Sequence, residues 1–123
     1  MSPAHRRVRD LEAAGAIIGY RAIVDPKVLG LGFEALVFVT MKQEDRATML
    51  AFEDAVAALP NVLQAQRLFG DPDYLLRVRT TDLDAYARLE DDVLSTIPGV
   101  QRLNSTLVMK NVVIDRPYPT ART

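Results

Sequence analysis

A chain of 123 residues, 49% hydrophobic and 25% charged, has the size and balance of one globular domain around a single core. The absence of cysteine excludes disulfides, thiolate catalysis and cysteine-ligated zinc, and a formal net charge of −1 leaves no overall field that would draw the chain to nucleic acid or to an anionic membrane. No stretch of about 18 apolar residues is available to span a bilayer, and the basic, polar N-terminus lacks the apolar core of a signal peptide, so a cytoplasmic protein without a membrane partner is expected.

Ser2-Pro3 is a strong helix opening, because serine caps free N–H groups and proline at the first helical position loses no hydrogen bond. Gly15 closes the element, and Val8 and Leu11 share one face of a short amphipathic helix. Its other positions hold the one local concentration of positive charge, His5, Arg6, Arg7 and Arg9, with no acid before Asp10. Residues 16–24 are rich in β-formers and predict a strand ended by Asp25-Pro26, with residues 25–32 as a seam. Residues 33–42 carry apolar side chains on both faces, Phe33, Ala35, Val37, Val39 and Met41 against Leu36 and Phe38, as a strand buried on both sides would.

Met49, Phe52, Val56 and Leu59 recur at helical spacing between a capping Asp45 and the breaker Pro60. Residues 62–69 and 74–80 read as an antiparallel pair joined by Gly70-Asp71-Pro72-Asp73. Thr81 or Asp82 caps a second helix with Leu83, Tyr86, Leu89 and Val93 on one face, ending before Pro98-Gly99. Residues 100–113 predict a long alternating last strand, and the tail after Asp115 has no apolar periodicity.

From Phe33 the order strand, helix, strand, strand, helix, strand is the split plan of a ferredoxin-like α+β sandwich, βαββαβ. Both helices should cover one sheet face. The other face still carries Leu36, Phe38 and Leu68 with no internal element left to cover it, so self-association is the simplest cover.

Several segments, in order, resemble the Lrp/AsnC (leucine-responsive regulatory protein) family of transcription regulators. The run Arg6-Arg7-Val8-Arg9-Asp10-Leu11-Glu12-Ala13-Ala14-Gly15-Ala16-Ile17 resembles the end of that family's winged helix-turn-helix. Tyr20-Arg21-Ala22, Asp25-Pro26 and Leu29-Gly30 resemble its wing and hinge, and Gly70-Asp71-Pro72-Asp73-Tyr74 resembles the G-x-x-D-Y segment of its regulation-of-amino-acid-metabolism (RAM) domain. Leu83, Tyr86, Leu94, Ile97-Pro98-Gly99-Val100 and Thr106-Leu107-Val108-Met109 continue the pattern. The resemblance implies a dimeric α-β barrel assembly, commonly built up to octamers, that binds small effectors such as amino acids between subunits. It divides the chain into a remnant of the winged helix-turn-helix (residues 1–32), a RAM domain for effector binding and oligomerisation (residues 33–115) and a flexible tail (residues 116–123). Two further helices precede the recognition helix in family members, so the helix-turn-helix is expected to be truncated here. Contact with DNA is then expected only where the motif is completed upstream or by a full-length partner.

The candidate residues each carry two readings. His5, Arg6, Arg7 and Arg9 suit DNA phosphates and base edges, since guanidinium groups pair bidentately with phosphate and guanine, and equally suit a solvated helix end. Residues 70–74 suit an effector rim, where the glycine turn offers backbone N–H groups to a carboxylate and Asp71 or Asp73 meets an ammonium; glycine, aspartate and proline equally make a plain hairpin turn. The resemblance favours Asp73, beside Tyr74, over Asp71. It also sets Thr106 next to the loop across an interface, while Leu68 and Phe69 are read as packing residues that shape the pocket wall. The acid pairs Asp82/Asp84 and Asp91/Asp92 fall at helix starts or exposed faces, and the single histidine, His5, allows neither a His-based triad nor a two-His metal site within a subunit. No catalytic residue, metal or cofactor is expected. The alternative is an enzyme on the same scaffold, a small monooxygenase or a haem-pathway decarboxylase, which the fold alone would permit.

Overall fold

The Ser2 side chain accepts the His5 N–H at 3.2 Å and Pro3 occupies the first turn of α1 (Pro3–Ala13), so local chemistry alone nucleates this helix. None of its residues is buried. The computed structural model describes residues 2–120. After α1 the predicted strand at residues 16–24 is absent: the segment has no regular structure and Ile18 is 97% exposed. A strand needs a neighbour for its backbone groups, and no strand of the sheet pairs with this segment.

The strands β1 (Phe33–Met41), β2 (Val62–Arg67), β3 (Tyr74–Thr80) and β4 (Val100–Leu107) form one antiparallel sheet in the order β2-β3-β1-β4. With α2 (Arg46–Ala57) and α3 (Leu83–Asp92) this is the expected ferredoxin-like α+β plan. Asp45 and Asp82 cap the two helices, their carboxylates accepting the Thr48 and Ala85 N–H groups at 3.1 and 2.8 Å.

The helices cover the face bearing Ala35, Val37, Val39, Tyr74, Leu76 and Val78, and Met49, Phe52, Val56 and Tyr86 close on it from above. Two expectations are corrected. Leu83, placed in the core by spacing, is exposed, and α3 ends at Asp92 in a separate 3-10 turn (Leu94–Thr96) whose Leu94 is buried. The last strand stops at Leu107 and not at residue 113, because Val108 N–H bonds the Glu34 carbonyl at the very start of β1 and no partner strand extends further. Similarly β2 ends at Arg67, although Leu68 N–H still reaches the Asp73 carbonyl at 2.8 Å. Gly99, at φ +92°, sits where a Cβ would come within 2.5 Å of Thr48 Cγ2, so only glycine lets β4 begin tight against α2.

The opposite face of β1 carries Leu36 and Phe38, both half-buried, with Thr106 and Asn104 beside them on β4 and Arg77 and Leu75 on β3. Neither helix covers this side.

Candidate functional site

Residues 70–73 turn the chain from β2 into β3, and Asp73 fastens the turn to the middle of the sheet. Its N–H donates to the Val39 carbonyl at 2.9 Å, its carbonyl accepts Leu68 N–H, and its Oδ2 accepts Met41 N–H at 2.7 Å. The β1–β4 ladder changes register between Thr40 and Met41, and Asp73 supplies the acceptor at that irregularity. A charge-assisted bond to a buried amide is a structural role that sequence reasoning did not assign to Asp73.

Beside this turn lies a cleft of about 380 Å³ between β2, the turn and the start of α2. Of the residues expected around an effector, it brings together Leu68, Phe69, Gly70 and Asp73. Four others fall elsewhere. Asp71 is exposed and Pro72 half-buried at the outer side of the turn, outside the cleft wall. Tyr74 points into the helix-covered core, its ring centroid 4.6 Å from that of Phe52 and its hydroxyl donating to Glu53 Oε2 at 2.5 Å. Thr106 stands on edge strand β4 opposite Leu36, with β1 between it and β3, so no single subunit brings it to the turn.

The cleft also holds Glu44 and Arg46 from the start of α2 and the loop before it and Arg67 from the end of β2, which the sequence did not single out, and Met49, which it placed only in the helix core. Only tertiary folding brings residues 44–49 against residues 67–73, although acid, base and apolar side chains in so short a stretch were a weak signal. Hydrogen bonding to Asp73, then the charge of the same group, pushes the Glu44 carboxyl above its ordinary value. Glu53 is held below its ordinary value, first by the Tyr74 hydroxyl and then by Arg67, whose guanidinium bonds the same oxygen. Burial, then the bond to Glu53, pushes the Tyr74 phenol up to about 12. Tyr74, Glu53 and Arg67 thus lock β3, α2 and β2 together directly beneath the cleft.

His5, Arg6, Arg7 and Arg9 all lie exposed on α1. The helix is tied to the following segment by the Tyr20 hydroxyl, which donates to Glu12 Oε1 at 2.9 Å.

Residues 34–118 match the Lrp/AsnC ligand binding domain. A sheet-and-helix domain with a lined turn cleft and a basic helix ahead of it is thereby defined as the ligand-binding part of a transcription regulator. The chain is 34% identical over 111 residues, 90% of its length and 87% of the relative's, to the HTH-type transcriptional regulator y4sM of Sinorhizobium fredii. A crystal structure of a transcriptional regulator from Neisseria meningitidis in complex with L-methionine superposes with a TM-score of 0.91 at 31% identity, over 98% of this chain and 78% of that one. A feast or famine regulatory protein from M. tuberculosis, also complexed with L-methionine, gives 0.75 at 26% identity over 93% and 75%. The chain belongs to the Lrp/AsnC family of transcription regulators. These relatives are regulators, which gives the enzyme alternative no support.

Proposed function

We propose that this chain is a cytoplasmic regulator that senses an amino acid in the cleft beside residues 70–73 and transmits occupancy through its state of assembly. The observation that carries the reading is the mixed lining of that cleft. Glu44 and Asp73 offer negative charge for an ammonium, Arg46 and Arg67 positive charge for a carboxylate, and Met49, Leu68 and Phe69 an apolar wall for a side chain. The L-methionine complexes of two relatives support the same ligand class. Gly70, at φ +145°, keeps the rim free of a side chain. Asp71 and Pro72 shape the outer edge of the turn, Tyr74 positions it from beneath, and Thr106 enters from a partner subunit.

Residues 33–115 serve as the effector and assembly domain, with residues 116–123 as a tail. The uncovered face with Leu36 and Phe38 favours a homodimer, with octamers as the larger assembly. Coupling follows if the ligand binds one assembly more tightly than another. Residues 1–32 serve the DNA side: His5, Arg6, Arg7 and Arg9 meet phosphates and base edges where the remaining helices of a helix-turn-helix stand beside α1. The reading requires no metal, cofactor or catalytic residue.

Thermal unfolding against the twenty amino acids, with mass by size exclusion, tests it. At a ligand concentration of 100 times Kd the expected stabilisation is about 2.7 kcal/mol. Asp73→Asn keeps an oxygen for Met41 N–H and removes the charge, so the ligand shift should shrink while the unliganded midpoint holds. If no amino acid moves the midpoint, amino-acid sensing is overturned for this chain.

A further inference from the structure

At the end of the sheet remote from the cleft, on the face that neither helix covers, stands a buried charged group to which the function proposed above gives no role of its own. Glu34, the second residue of β1, is 7% exposed, and Arg79, opposite it on β3, has a side chain 14% exposed. Arg79 Nη2 donates to Glu34 Oε1 at 3.0 Å while Nη1 donates to the Leu31 carbonyl at 3.0 Å. The same Glu34 oxygen accepts Asn111 Nδ2 at 2.8 Å, and the Glu34 carbonyl accepts Val108 N–H at 2.9 Å. Arg77 Nε approaches Glu34 Oε2 more loosely, at 3.6 Å. Asn61 braces Arg79 from the far side, its carbonyl accepting Arg79 N–H at 3.0 Å and its Nδ2 donating to the Arg79 carbonyl at 2.7 Å.

We propose that Arg79 and Glu34 form a clamp that joins the segment leading from α1 (residues 16–32) to the segment leaving β4 (residues 108–115), so that the two come off the sheet together. A planar guanidinium spans two acceptors at a fixed spacing, which a point charge cannot do. One of these acceptors belongs to the incoming segment and the other to the residue that holds the outgoing one. Bonds that share an oxygen in a desolvated place polarise one another, and losing one partner leaves an unpaired buried charge. Farther out, Arg21 Nη2 meets Asp115 Oδ1 at 3.2 Å, a second tie between the same two segments that is exposed and correspondingly weak. Among the described residues α1 is the only regular element before β1, so the clamp sets where the segment leading from α1 meets the sheet. A partner subunit or ligand that displaces Asn111 from Glu34 would thereby loosen the end of the incoming segment at Leu31. Arg79 is a positioning residue in this account. The proposal goes beyond the effector reading and stands whether or not an amino acid fills the cleft.

Hydrogen–deuterium exchange on the full chain tests it, because each segment carries a reporter amide: Leu31 N–H bonded to the Pro26 carbonyl at 2.8 Å, and Val108 N–H bonded to Glu34. Arg79→Gln should speed exchange at both reporters, by about tenfold, while the strand amides of Val37 and Leu76 keep their protection. Asn111→Ala removes a contact made by an exposed residue of the outgoing segment alone, and it should nevertheless speed Leu31, by about threefold. Arg77→Gln should leave both reporters as they are. The proposal is overturned if Asn111→Ala loosens Val108 and leaves Leu31 unchanged, or if Arg79→Gln loosens Leu31 alone. Should Arg79→Gln unfold the chain, the Asn111→Ala comparison still decides.

Discussion

Residues 33–107 and residues 3–32 share one chain and follow different rules. Every member of the buried apolar cluster lies between Ala35 and Ile97, and none lies in the N-terminal part. In the first region β-formers become strands because neighbours take up their backbone groups. In the second, the equally β-prone residues 16–24 stay irregular, with Ile18, Ile23 and Val24 exposed. Propensity writes an element only where a partner completes it. α1 escapes this limit because a serine cap and an N-terminal proline act within one turn.

The contrast can be broken or sharpened by substitution. The largest effect should come from Phe52→Ala, which empties the centre of the helix-covered face, where Phe52 is 1% exposed and packs against the tilted ring of Tyr74. A loss of about 3–5 kcal/mol is expected in urea unfolding. Asp73→Ala should follow. It strips the acceptor from buried Met41 N–H at a cost of about 1–3 kcal/mol, whereas Asp73→Asn should stay near wild type. Equal losses in the two variants would remove the structural role given to that carboxylate.

The third test is by pH. The Tyr74 phenol rises from 10.0 to about 12 in the folded state, so folding favours its neutral form. That contribution is fully present below about pH 10 and lost as pH climbs towards 12. The urea midpoint of the wild-type chain should fall across this window, and Tyr74→Phe should flatten that part of the profile. The smallest effect should be Ile18→Ser, within about 0.5 kcal/mol on the unfolding of a subunit. A loss of several kcal/mol there would show that residues 16–24 are packed after all, and a change confined to association would place them at a subunit interface.

Much of the compact region was legible in the sequence. The apolar run that becomes the strand at residues 33–41, the caps Asp45 and Asp82 and the turn residues 70–73 each act over a few positions, and the strand at residues 74–80 appears with the expected bounds. The cleft was legible only in part. Leu68, Gly70 and Asp73 belong to a recognisable local pattern, while Glu44, Arg46 and Met49 reach it through the packing of α2 beside β2. Tyr74 shows the same limit from the other side. Its place in the motif suggested a binding residue, but strand parity turned it towards Phe52 and Glu53.

The amino-acid sequence by itself determined the order of elements, the apolar faces, the capped helix starts and the family to which the chain belongs, because each rests on short-range periodicity or on local motifs. Only the tertiary structure decided that residues 16–24 form no strand, that β4 ends where Glu34 receives it, that Asp73 holds the Met41 amide, and that Arg79 reaches Leu31 and Glu34 at once. Those outcomes depend on which backbone and charged groups meet across 30 or more residues, and no local pattern in the chain encodes such a meeting.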